Sequence, residues 1–156
     1  MHAASDQLAT LMQALARQHA WAYRPPERGR YAIVVGLGLE ISLFQVDQEI
    51  FFEGWVAAVP SSRAEREETL RRLLQLQLAR LARFDQVLIL SSEPSLQGET
   101  QQLMLYQRLS VEGLRLDDFE RALSRFVTAL DLWGQVAAGS PRSPMPVVPH
   151  AGMLFP

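Results

Sequence analysis

The chain of 156 residues contains no cysteine. That removes disulfides, zinc–thiolate sites and cysteine nucleophiles together, and it suits a reducing compartment. Lysine and asparagine are missing too, so all 15 basic positions counted as Lys+Arg are arginine. We read this as the codon bias of a GC-rich bacterial genome. The net charge is -2 and the pI about 5.9, which leaves no strong positive field of the kind nucleic-acid binding needs. No apolar run approaches the roughly 20 residues of a membrane span. The opening MHAASDQLAT has neither a basic region nor an apolar stretch behind it, so no secretory signal is expected.

What is present is a large apolar share. Hydrophobic residues make up 48% and charged residues 21%, which fits one globular domain burying about 68–70% of its unfolded surface. Residues 4–19 read as a helix with Leu8, Leu11, Met12 and Leu15 on one face and Ser5 or Asp6 as cap. WAYRPPERGR is a loop, broken by Pro25, Pro26 and Gly29. Three strands follow: YAIVVGL, LEISLFQV and, after a tight Asp47-Gln48 turn, EIFFEGWVAAV.

Residues 62–83 read as a second helix capped by Ser62 with Glu65, carrying Leu70, Leu73, Leu74, Leu78, Leu81 and Phe84 in one arc. QVLILS is a fourth strand, SEPSLQGE a loop and TQQLMLYQRL a fifth strand. A last helix, capped by Asp117, bears the stripe Phe119, Leu123, Phe126, Leu130 and Trp133 and stops at Gly139. The order α-βββ-α-ββ-α predicts a single α+β domain over residues 1–139, with a twisted antiparallel sheet flanked by helices. Residues 140–156, SPRSPMPVVPHAGMLFP, are too rich in proline for helix or central strand and are expected to be an extended tail.

Strand followed by Gly36-Leu37-Gly38 invites a dinucleotide-binding reading. That fingerprint needs Gly or Ala three residues after its second glycine and a helix N-terminus to hold the pyrophosphate. Ile41 stands at that place, and EISLFQV is a strand pattern. The glycines therefore read as a hairpin turn or bulge. No pair among His2, His19 and His150 has metal-ligand spacing, and no serine lies in a nucleophile elbow. His19 is expected to be packed or partly exposed. The arginines of the second helix alternate with its glutamates as a solvated face would. No enzyme activity, cofactor or metal is expected; a small-ligand enzyme built on VVGLGLE is the contrary reading, and nucleotide-dependent thermal stabilisation would reveal it.

The strands carry more apolar residues than one covered face requires. Phe51, Trp55, Ala57 and Val59 would oppose Ile50, Phe52, Val56 and Ala58, while Val87 and Ile89 would oppose Leu88 and Leu90. Helices on one face would leave large side chains on the other, which marks a partner surface. Leu76 and Leu132 sit off their helix stripes and add to it. A curled sheet with both faces packed internally is the alternative.

The segments LATLMQALARQHA, EISLFQVDQEIFFEGWVAAVP, ETLRRLLQLQLARLARFDQVLIL and LMLYQRLSVEGLRLDDFERALSRFVTALDLW resemble, in order and pattern, the class I type III secretion chaperones of the Tir-chaperone family, over roughly residues 5–138. The resemblance implies a homodimer in the bacterial cytoplasm that binds an extended N-terminal segment of one or more secreted effectors and keeps it non-globular for export. The secretion ATPase is a further candidate partner. The resemblance implies no cofactor and no bond-making chemistry. Carried over, effector contacts fall on Leu8, Leu11, Leu15, Phe44, Phe51 and Trp55, and dimer contacts on Leu73, Leu76, Arg80, Val87 and Ile89. The proline-rich tail lies outside the family pattern. If it folds over the apolar patches, deleting residues 141–156 should tighten cargo binding. A chaperone-like protein that sequesters a regulator of secretion genes is the alternative function, since it would use the same fold and a similar groove.

Overall fold

The computed structural model describes residues 6–36, 38–80, 85–95 and 98–139, with side chains at position 80 and over 93–99 left undescribed. Elements follow in the expected order: α1 (Gln7–Gln18), β1 (Arg30–Val35), β2 (Leu39–Val46), β3 (Glu49–Ala58), α2 (Arg63–Arg80), β4 (Gln86–Ser95), β5 (Gly98–Ser110) and α3 (Leu116–Ala138). The strands form one antiparallel sheet in the order β1-β2-β3-β5-β4. The proline-rich tail expected over 140–156 lies outside the described residues.

Local chemistry explains the element ends. Asp6 caps α1, its carboxylate accepting from the Ala9 amide at 3.0 Å. A second free amide of that helix, Leu8, donates to the Gln45 side-chain oxygen of β2 at 2.9 Å, which fastens the helix to the sheet. The turn between β1 and β2 holds Gly36 and Gly38 at positive φ, so the Gly-Leu-Gly stretch is a hairpin turn and no helix follows it. Asp47 also takes positive φ at the next turn, a conformation Asp tolerates. Gly139 ends α3 in the left-handed conformation.

All three helices lie on one side. Tyr31, Ile33, Val35, Ile41, Leu43, Ile50, Phe52, Val56, Leu103 and Leu105 meet Phe119, Leu123, Phe126, Leu130 and Trp133 of α3 and Leu8, Leu11, Met12 and Leu15 of α1 in one core. Phe52 sits between Phe119 and Phe126, with ring centroids 5.9 and 5.6 Å away. Helix α3 crosses β3 closely because Gly54 has no side chain.

Four details differ from the sequence reading. The β4–β5 hairpin runs on through the stretch expected to be a loop, with Pro94 opposite Glu99; β4 is an edge strand, where proline costs no sheet hydrogen bond. Helix α3 starts two residues earlier than expected, at Leu116, with Arg115 in the cap position and Asp117 in the first turn. A bulge in β3 between Trp55 and Ala57 sets Ala57 opposite Leu103. Ala57 and Val59 therefore pack against the core while Ala58 is exposed, the reverse of the strict alternation expected there. On α2, Leu73 is buried and Leu70 partly so, but Leu74 and Leu78 of the same arc are exposed; the rest of the arc lies at 81–84, outside the described residues.

Candidate functional site

The face of the sheet away from the helices carries no secondary-structure layer among the described residues. Cross-strand pairing builds it in rows. The first is Arg30, Phe44, Phe51 and Arg108 across β1, β2, β3 and β5; the second is Ala32, Ser42, Glu53, Tyr106 and Val87, reaching β4. Beyond them, Trp55 neighbours Met104, which neighbours Ile89.

Aromatic rings run across the middle. Phe44 and Phe51 stack at 5.1 Å between centroids, and Phe51 meets Tyr106 at 5.6 Å. The Arg30 guanidinium lies 4.0 Å above the Phe44 ring and pairs with Glu53 at 2.5 Å. Arg108 pairs with Glu49 at 3.3 Å. The charges half-cover the rings, so Phe44 and Phe51 are partly buried whereas Trp55 is 53% exposed. Burial, followed by the nearby Glu53 carboxylate, pushes the Tyr106 hydroxyl above its usual pKa.

The second feature is the outer edge of β1. Among the described strands β1 pairs with β2 alone; Arg30 at its start is bonded outward to Glu27, and past that bridge the outward peptide groups of the strand can accept another strand. Beside it runs a groove of about 200 Å³. Met12 and Ala16 of α1 form one wall, the loop residues Trp21 to Arg24 another, and Tyr31 to Val34 of β1 the floor. An adjoining hollow is lined by Arg17, Trp21 and Tyr23. The loop wall is held by the Tyr23 and Tyr31 hydroxyls at 3.1 Å and by the Trp21 amide donating to the Ala16 carbonyl at 3.0 Å. At the same end, His19 meets Glu120 of α3 at 2.7 Å; it is partly exposed, not part of the apolar stripe.

The expected effector residues thus separate into two groups. Phe44, Phe51 and Trp55 share the open face. Leu8, Leu11 and Leu15 are 1, 6 and 1% exposed beneath α1, so in this state they pack the core and no partner can reach them. The expected dimer residues separate likewise. Val87 and Ile89 are exposed on β4, while Leu73 is buried and Leu76 packs against the core. The Arg80 side chain lies outside the described residues. The sequence reading missed the groove, because its aromatics stand in a loop with no periodicity; Trp21 and Tyr23 beside two prolines were the available signal.

Helix α2 carries the pairs Arg63–Glu67 at 2.8 Å and Arg71–Glu68 at 3.1 Å, the solvated face expected of it. Among the described residues no cluster of His, Cys, Asp or Glu is placed to hold a metal, and no helix is long and apolar enough to cross a membrane.

No protein-family model matches the chain, and no curated protein matches it in sequence. Solved structures do match in fold. The ExsC–ExsE complex aligns with a TM-score of 0.61 at 18% identity, covering 86% of this chain and 96% of the other. The HopA1–SchA chaperone–effector complex aligns at 0.60 and 14%, covering 82% and 93%. The chain has the fold of the class I type III secretion chaperones. YbjN of E. coli, a proposed transcription regulator, also shares it, with a TM-score of 0.60 at 14% identity over 86% of this chain and 91% of that one. The shared fold thus extends over almost the full length of each of these neighbours.

Proposed function

We propose that this protein is a secretion chaperone that holds an extended segment of a secreted effector against its sheet. The observation that carries the reading is the outer edge of β1 past the Glu27–Arg30 bridge, opening onto the groove between α1 and the loop wall. An extended peptide added there gains main-chain hydrogen bonds from the edge and places alternate side chains in the groove. Continuing over the sheet, it meets Phe44, Phe51 and Trp55. The cargo has to order on binding, which limits affinity per unit area and keeps release possible.

A homodimer fits this role, since two symmetric copies holding one cargo raise the effective concentration of the second contact. The side chains available for it are Leu74 and Leu78 of α2 and Val87, Ile89 and Leu90 of β4, all large, apolar and exposed. Leu73 and Leu76 support that surface from beneath. A cytoplasmic site of action and contact with a secretion ATPase belong to the same reading. The solved ExsC–ExsE and HopA1–SchA complexes support it by fold.

The regulatory alternative draws support from the likeness to YbjN: the same edge would sequester a regulator in place of an exported cargo. Co-expression with N-terminal segments of secreted proteins, followed by hydrogen exchange, tests the main reading. The expected result is a soluble complex in which amides of β1 and of the bound segment gain protection. Protection confined to other elements, or a regulator as the only partner that binds, overturns it.

A further inference from the structure

The groove beside β1 is lined mainly by apolar and aromatic side chains, with the Tyr31 hydroxyl in its floor, and is basic at its rim. Arg24 lines it and Arg17 lines the hollow that continues it. Both side chains belong to exposed residues, and neither pairs with a carboxylate among the described residues. Most of the nearby charges are otherwise engaged, Asp6 among them as the cap of α1, whereas the Glu40 carboxylate is exposed. Arg30 is held by Glu53, and Glu120 by His19 and Gln18. Glu27 and Arg28 share the turn before β1 and offset one another. Glu40 lies opposite Val34 on β2, one strand in from the edge. In a chain of net charge -2, the mouth of the groove therefore presents two uncommitted guanidinium groups.

We propose that the groove selects by charge: it takes an extended segment whose alternate side chains are apolar and which carries carboxylates beside them, and Arg17 and Arg24 read those carboxylates. This deepens the chaperone reading and rests on it for the occupant being an extended peptide. The pleat supplies the pattern. Residues of an added strand that face Met12, Ala16 and Ile33 must be apolar, because the wall there offers no polar group to satisfy. Residues leading out of the groove pass the arginines, which bind a carboxylate through a planar fork and reject a lysine.

The test uses the full chain and two labelled twelve-residue peptides alternating valine with threonine, one flanked at both ends by paired glutamates and the other by paired lysines. Fluorescence anisotropy reads binding. At low salt the glutamate peptide is expected to bind about three- to tenfold tighter, the scale of two exposed ion pairs, and roughly half-molar salt should erase the difference. The double variant Arg17→Glu/Arg24→Glu should reverse the order. Both sites are exposed, and a thermal melt verifies that the variant folds. Equal affinities, or a preference the variant leaves unchanged, overturn the selection by charge while the edge remains a peptide site. If neither peptide binds, the edge reading falls with it.

Discussion

Gly54 lies directly beneath Leu130: a Cβ at that glycine would stand 2.6 Å from one Leu130 methyl and 2.8 Å from the other. The close crossing of α3 over β3 thus depends on a missing side chain in mid-strand. Gly54→Ala should cost about 1–3 kcal/mol through overpacking. Shortening the neighbour in Gly54→Ala/Leu130→Ala should recover part of the loss, giving a non-additive cycle by chemical denaturation. Additive losses would mean that the two residues do not share the space.

Tyr31 forms the groove floor and is almost fully buried. Burial comes first, and its hydroxyl contact with Tyr23 second, in pushing its pKa well above the usual value. The sign follows directly. The folded state keeps the proton while the unfolded chain releases it near pH 10, so stability is full below that pH and falls as pH rises above it. Tyr31→Phe should flatten the alkaline part of a stability-against-pH curve. An unchanged slope would show that other groups set it.

Leu74 and Leu78 are 61 and 71% exposed on α2. Replacing both with lysine should change monomer stability by no more than about 0.5 kcal/mol per site. In the proposed dimer the same change should shift the sedimentation coefficient from dimer to monomer at micromolar concentration. A wild-type protein that is already monomeric would refute that use of the surface.

Trp55 stands at the exposed end of the open face. Trp55→Thr keeps a residue suited to a strand, so stability should move by about 1 kcal/mol or less. Loss of cargo affinity should reach about 2 kcal/mol or more if the ring is a central anchor. Titration calorimetry with a bound effector segment would read it; unaltered affinity would place the anchor elsewhere.

Much of the architecture was legible because certain patterns admit one answer. The spacing from Phe119 to Trp133 fits a single helix face, and all five of its residues are buried. The strand pattern after Gly38 leaves no place for a phosphate-binding helix. Other features were ambiguous for physical reasons. Trp55 to Val59 is apolar throughout, so no alternation could reveal the bulge that turns Ala57 inward. Pro94 reads as a break until β4 is known to be an edge. An apolar stripe also looks alike whether it meets the protein's own sheet or a partner: Leu8, Leu11 and Leu15 meet the sheet, while Leu74 and Leu78 meet solvent. The groove depends on Trp21 and Tyr23 folding back against β1, a tertiary relationship with no sequence period.

In the proposed function this chain handles an extended cargo as a symmetric pair. Light scattering on the purified protein, alone and co-expressed with N-terminal segments of secreted proteins, tests it most directly. The expected result is a dimer that gains one segment for every two subunits. A monomer that ignores every segment would contradict it, leaving the likeness to the chaperones as one of fold alone.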